Sequence, residues 1–164
     1  MRRDEGTAEV RRRLAASPSR VFAAFSQASL VSRWLTPSPE VALTVLEFDF
    51  RVGGRYRFAY RVPGRTTMFV NGVYRTIEVP SSIVFSWNIE PPDEHAGVHS
   101  EVTVTLTPWG TGTDLLIRHE RLTEPGAADR DAAGWRGAVD QLIALLDDAT
   151  ENVREQLPLK GRVE

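Results

Sequence analysis

The chain contains one long amphipathic segment with helical periodicity, and this segment lies near the C-terminal end of the sequence. Asp129 and Asp131 stand at its start, where negative charge favours the N-terminus of a helix. Its apolar residues follow one another at helical spacing and form a single stripe: Ala132, Trp135, Val139, Leu142, Ile143 and Leu146. Such a stripe needs another layer of structure to cover it, so the preceding chain has to supply the opposing face.

That preceding chain has the alternation of β-strands. In residues 55–62 apolar and charged side chains alternate, which predicts a half-buried antiparallel strand. The predicted inner face carries Tyr56, Phe58, Tyr60 and Val62, and the predicted outer face carries Arg55, Arg57 and Arg61. Further strands are predicted over residues 8–15, 41–50, 67–79, 82–90, 100–107 and 113–120, separated by turns rich in proline and glycine.

Two short helices are predicted between the first and second strands. Ser17 followed by Pro18 has the pattern of an N-cap and a first helical residue. A second helix is predicted from Leu30 to Leu35, before two prolines. The expected fold is therefore α+β: a curved antiparallel sheet of about six to seven strands, wrapped around a long C-terminal helix.

Composition narrows the classes of function. The 164 residues have a formal charge of −2, whereas sequence-independent nucleic-acid binding needs a dense basic surface. The chain has no cysteine, which excludes disulfides, cysteine zinc sites and thiol catalysis. No apolar run has the length of a membrane span, and the charged N-terminus does not resemble a signal peptide. We therefore expect a soluble cytoplasmic protein with one domain over residues 1–164, a core over about 8–147 and a polar tail over 150–164 that frays or covers an edge.

Several segments, taken in order, resemble a known family. They are 18–25 (PSRVFAAF), 31–35 (VSRWL), 51–58 (RVGGRYRF), 71–74 (NGVY), 83–87 (IVFSW), 101–107 (EVTVTLT), 112–113 (GT), 117–119 (IRH) and 134–135 (GW). This set resembles the AHSA-type family, the homologues of the activator of a heat-shock chaperone ATPase. That family belongs to the START-like, SRPBCC superfamily, and the resemblance implies the helix-grip fold with a hydrophobic pocket between the long helix and the sheet.

The resemblance leaves three functions open, because one fold hosts many activities. The first is a module that binds a small apolar or aromatic ligand, with no cofactor, nucleic acid or membrane as partner. The second is an aromatase/cyclase-like enzyme. The third is regulation of a heat-shock chaperone ATPase in a stress response, although the eukaryotic co-chaperones carry an additional N-terminal domain and here only a few residues precede the first strand. A homodimer also stays open.

We predict a pocket lined by inward-facing aromatic and aliphatic side chains, with two polar residues among them. Several titratable groups have to converge in an enzyme site, whereas sparse polar groups are sufficient to orient a ligand. No nucleophile–base pair or phosphate loop has diagnostic spacing, so binding is favoured over catalysis. The predicted pocket residues are Phe25, Trp34, Phe48, Tyr56, Phe58, Tyr60, Phe69, Asn71, Trp87, Val104, His119, Trp135 and Val139.

Two histidine-containing features of the sequence lead to separate predictions. His119 shares a strand face with Leu115 and Ile117, so an imidazole that contacts a ligand, or acts as a base, is expected on the inside of the sheet. Asp93, Glu94, His95 and His99 lie close together between two strands. The neighbouring prolines and glycine favour a solvated hairpin loop there, and no metal site is predicted.

Overall fold

The computed structural model describes residues 6–97 and 99–163, with side chains as far as Asp147. Within these residues the chain forms seven strands and three helices. They are β1 (Gly6–Leu14), α1 (Pro18–Ser26), α2 (Ala28–Trp34), β2 (Ala42–Phe48), β3 (Arg55–Arg61), β4 (Met68–Glu78), β5 (Ser82–Ile89), β6 (His99–Trp109), β7 (Gly112–Leu122) and α3 (Ala127–Val163). The predicted fold class, including the two short helices after the first strand, is confirmed.

All strands belong to one antiparallel sheet with the order β1-β7-β6-β5-β4-β3-β2. Strands β2 to β7 form a meander, in which each strand pairs with the next one along the chain. Strand β1 instead pairs with β7, at the opposite edge from β2. The segment that contains α1 and α2 therefore carries the chain from one edge of the sheet to the other.

Helix α3 packs against β1, β7 and the two short helices. Its predicted apolar stripe is confirmed, since Trp135 is only 6% exposed and Val139 and Leu142 are fully buried. The alternation in β3 is confirmed as well: Tyr56, Phe58 and Tyr60 are buried on the inner face, as burial of one sheet face requires.

The short helices begin and end as local sequence chemistry dictates. The Ser17 side chain accepts a hydrogen bond from the backbone N–H of Arg20 at 3.3 Å and caps α1, whose first residue is Pro18. The indole Nε1–H of Trp34 in α2 donates to the carbonyl oxygen of Ala24 in α1 at 2.9 Å. This buried bond fixes the two helices against each other.

One glycine permits a close approach inside the sheet. The Tyr56 hydroxyl crosses to β5 and donates to the carbonyl oxygen of Ser86 at 2.7 Å, passing directly over Gly72 in β4. A Cβ atom at position 72 would overlap both the Tyr56 ring and the Ser86 carbonyl oxygen. The residue between them has to be glycine because any side chain would displace the tyrosine.

The last helix is longer than the apolar stripe that predicted it. Helix α3 runs to Val163 and so extends into residues 150–164, which we expected to form a polar tail that frays or covers an edge of the fold. Apolar residues at helical spacing end near Leu146, and such spacing marks a helix only where one of its faces is apolar. The helical backbone continues past that point.

Candidate functional site

An open cavity of about 510 Å³ lies between the inner face of the sheet and α3. The segment after α2 and the loop between β5 and β6 complete its walls. Its apolar lining consists of Leu35, Pro37, Val41, Tyr60, Val62, Met68, Trp87, Ile89, Leu122, Ala127, Trp135 and Ala138. Its polar lining includes Thr36, Arg65, Thr66, Asp93, Glu94, His95, Ser100, His119, Glu124, Arg130 and Asp131.

Three rings form one wall of this cavity. Trp87 comes from β5, His119 from β7 and Trp135 from α3. Their ring centroids are 5.8 Å apart for Trp87 and His119, 5.9 Å for Trp87 and Trp135, and 6.2 Å for His119 and Trp135. The wall therefore joins two strands to the helix and presents mainly aromatic surface to the cavity.

Both ring nitrogens of His119 are bound within the protein. The Trp135 Nε1–H donates to His119 Nδ1 at 3.1 Å, so Nδ1 carries no proton and Nε2 does. His119 Nε2 then donates to Ser100 Oγ at 2.7 Å, and this hydroxyl donates to the carbonyl oxygen of Trp87 at 2.9 Å. The hydrogen-bond chain links α3, β7, β6 and β5 with every donor matched to an acceptor.

This environment fixes the protonation state of His119. The residue is 1% exposed, and burial lowers the pKa of its imidazole from 6.5 to about 4. Near neutral pH the ring is neutral, and its one lone-pair nitrogen already accepts from Trp135. The predicted inward orientation of His119 is confirmed, and its ring lines the cavity, but the structure leaves it no free nitrogen with which to act as a base.

Two predicted pocket residues lie on the other face of the sheet, which corrects the prediction for Phe69 and Asn71. In β4 the inner face carries Val70 and Tyr74, so the odd-numbered positions, including Phe69 and Asn71, point outward. Asn71 Nδ2 donates to Glu90 Oε2 at 2.9 Å. Apolar and polar residues do not alternate strictly in this part of β4, so the sequence did not show which of them face inward.

The outer-face position of Arg57 is confirmed by the same cluster. Its Nε and Nη2 donate to the two carboxylate oxygens of Glu90, each at 2.9 Å. Its guanidinium lies 4.5 Å from the centroid of the Phe69 ring. The hydrogen bonds from Arg57 and Asn71 lower the pKa of the Glu90 carboxyl.

Most of the remaining predicted pocket residues fill the core beside the cavity. Phe25, Trp34, Tyr56, Phe58, Val104 and Val139 are buried and do not line it. Phe48 is half-buried and contacts Phe50 and Tyr74 at the end of the sheet nearest β2, also away from the cavity. These side chains pack against one another, so the open space is confined to one end of the sheet. Four of the predicted residues line the cavity: Tyr60, Trp87, His119 and Trp135.

The mouth of the cavity carries charged residues that sequence reasoning did not assign to a site. His95, in the loop between β5 and β6, has Nδ1 2.7 Å from Glu124 Oε1, and Arg130 Nη2 lies 3.2 Å from the same oxygen. The loop predicted to be solvated therefore contacts the connection between β7 and α3. In the described ranges no cluster of three or more His, Asp or Glu side chains has the geometry of a metal site.

Asp131 also lines the cavity, one helical turn before Trp135. Its Oδ2 lies 3.6 Å from His119 Nδ1, and burial raises the pKa of its carboxyl. The sequence identified Asp131 only as a favourable charge at a helix N-terminus. Its position on the same helix face as Trp135, at a spacing of four residues, is the signal that could have placed it at the site.

A seven-stranded antiparallel sheet packed on a long C-terminal helix, with an internal cavity between them, defines a helix-grip domain. The family described as "Activator of Hsp90 ATPase homolog 1-like protein" matches residues 15–147, and this chain belongs to that family. No curated protein matches the chain. In the described part of the chain, no helix has both the length and the hydrophobicity needed to cross a membrane.

Solved structures share this fold. Protein CV1439 from Chromobacterium violaceum is 28% identical, with a TM-score of 0.78 over 85% of this chain and 96% of that one. The AHSA1 protein SPO3351 from Silicibacter pomeroyi is 22% identical, with a TM-score of 0.76 over 87% of this chain and 98% of that one. A protein from Arthrobacter aurescens is 24% identical, with a TM-score of 0.76 over 87% and 86% of the two chains.

Proposed function

We propose that this protein binds a small hydrophobic ligand in the cavity between α3 and the sheet, without transforming it. The observation that carries the proposal is the cavity itself, whose volume of about 510 Å³ falls in the range of small-molecule sites. Its floor offers aromatic and aliphatic area, which stabilises apolar ligands by removing their surface from water.

The chemistry of His119 supports binding over catalysis. A general base has to offer a lone pair to the proton that it removes. The lone pair of His119 already accepts from Trp135, and a pKa of about 4 makes the imidazole a weak base near neutral pH. The aromatase/cyclase-like alternative therefore lacks the base that the sequence suggested for it.

The test is a titration with a neutral apolar probe, such as 1-naphthalenemethanol, followed by tryptophan fluorescence and by thermal shift. Ala138→Phe places a large side chain in the cavity wall, and Ala133→Phe adds the same side chain at an exposed position of the same helix. We expect wild type and Ala133→Phe to bind and Ala138→Phe to lose binding. Val62→Trp, at a half-buried lining position, provides a second blocked variant. Equal binding by all four proteins would contradict the proposal.

The family to which the chain belongs favours one second candidate, regulation of a chaperone ATPase. The discriminating assay measures the ATPase rate of an Hsp90-type chaperone with and without this protein. Stimulation that persists in Ala138→Phe, with no probe binding to wild type, would favour the second candidate. Product formation from a polyketide-like probe would favour the enzyme instead.

A further inference from the structure

The Asp131 carboxylate lines the cavity beside its aromatic wall. It precedes Trp135 by four residues, so both side chains lie on the helix face turned toward the sheet. Its Oδ2 is 3.6 Å from His119 Nδ1. That nitrogen carries no proton, because it accepts from Trp135, and so it cannot donate to the carboxylate.

The basic side chains near Asp131 make their hydrogen bonds to other groups. His95 Nδ1 lies 2.7 Å from Glu124 Oε1, and Arg130 donates to the same oxygen at 3.2 Å and to the carbonyl oxygen of Pro125 at 3.4 Å. Among the residues that the structure describes, none donates a hydrogen bond to the Asp131 carboxylate. The Asp131 side chain is 36% exposed, so its carboxylate is open to solvent within the cavity. Partial burial raises its pKa, and the charge of the neighbouring Arg130 guanidinium opposes this shift. A ligand with a charged donor would replace the hydration of this carboxylate with a charge-assisted hydrogen bond.

The aromatic side chains of the cavity lining suit a positively charged donor. Tyr60 and Trp87 have ring centroids 6.4 Å apart, and Trp87 and Trp135 have theirs 5.9 Å apart. The faces of such rings attract cations, and aromatic walls recognise ammonium groups in this way. The cavity lining also contains four carboxyl groups and two guanidinium groups, so its formal charge is negative when His95 is neutral.

We propose that Asp131 is a specificity-determining residue, which selects apolar ligands that carry a protonated amine. The apolar body would occupy the cavity, and the ammonium group would lie between the Asp131 carboxylate and the faces of Trp87 and Trp135. This inference rests on the proposed function, because it assigns a ligand class to the same cavity. It also excludes ligands that place a carboxylate at this position.

The experiment compares three probes with one skeleton: 1-naphthylmethylamine, 1-naphthalenemethanol and 1-naphthoic acid. Calorimetric titrations near neutral pH measure their affinities for wild type, Asp131→Asn and Asp129→Asn. Asp129 lies on the same helix but is exposed and does not line the cavity, so its variant carries the same charge change as a matched control. We expect wild type and Asp129→Asn to bind the amine at least about tenfold more tightly than the alcohol, as for a charge-assisted hydrogen bond, and the acid most weakly.

In Asp131→Asn the amine should lose this advantage while the alcohol retains its affinity, which also shows that the variant is folded. For wild type, added salt should lower the affinity for the amine and leave the affinity for the alcohol unchanged. Equal binding of amine and alcohol by wild type, a preference that survives in Asp131→Asn, or an amine affinity insensitive to salt would overturn the inference and leave the proposed function standing. Failure of all three probes to bind would overturn both.

Discussion

The protonation of His119 gives the sharpest stability prediction. Its side chain is 2% exposed, and burial lowers its pKa to about 4 in the folded protein, against 6.5 for an ordinary histidine. The unfolded chain therefore binds a proton at higher pH than the folded protein does. By linkage, the contribution of His119 to stability is complete above about pH 6.5 and is lost as the pH falls toward about 4.

The size of the effect follows from the same two values. The complete difference corresponds to roughly 3 kcal/mol of unfolding free energy. Between about pH 7 and about pH 4.5, roughly 2 kcal/mol of it should be lost. Stability also depends on pH through other ionisable groups of the chain, so the measurement has to isolate His119 by difference.

His119→Gln provides the comparison, because glutamine can still accept from Trp135 and donate to Ser100 but does not titrate. Urea unfolding of wild type and variant at both pH values gives the two changes in stability. We expect wild type to lose roughly 2 kcal/mol more than the variant. His99→Gln removes an exposed histidine and serves as the control. If wild type and His119→Gln lose stability in parallel, His119 is not the buried neutral residue described above.

Three further predictions concern packing and the outer face. Trp135→Ala should lower the unfolding free energy by about 3–5 kcal/mol, as deletion of a large buried aromatic does, and denaturant unfolding that shows a loss below about 1 kcal/mol would contradict its place in the core. Gly72→Ala should lower the melting temperature, because its Cβ would overlap the carbonyl oxygen of Ser86; an unchanged melting temperature would refute this close approach. Arg57→Ala removes the ion pair with Glu90 on the outer face, so the affinity for a neutral apolar probe should stay as in wild type, and a large loss would place Arg57 at the ligand.

The fold was predictable because the decisive signals are local. The N-cap at Ser17, the alternation through Tyr56, Phe58 and Tyr60, and the stripe that contains Trp135 each depend on residues close in sequence. In the folded protein each of these segments has the structure that its local signal predicts. The extent of α3 beyond Leu146 was not predicted, because the apolar spacing that marks the helix ends there.

The site was less predictable from the sequence. Alternation shows which residues share a face of a strand, but it does not show which inward residues border open space, and it fails where the alternation is not strict. Val104 and Phe58 face inward as expected, yet they fill the core, because the cavity occupies only one end of the sheet. Asn71 was assigned to the wrong face, since β4 offers no strict alternation around it. The spacing of four residues between Asp131 and Trp135 is a local signal that places both on one helix face. Glu124 reaches the mouth through its contact with His95 in the loop before β6, which no local pattern encodes.

The central claim is that the cavity is the binding site, and the four tryptophan indoles can test it in one spectrum. Trp87 and Trp135 line the cavity, whereas Trp34 is bonded inside the core and Trp109 is exposed on the hairpin between β6 and β7. Titration of 15N-labelled protein with 1-naphthalenemethanol should shift the indole N–H signals of Trp87 and Trp135 and leave those of Trp34 and Trp109 in place. Unchanged signals from Trp87 and Trp135 at saturating probe, or a shift confined to Trp109, would contradict the account.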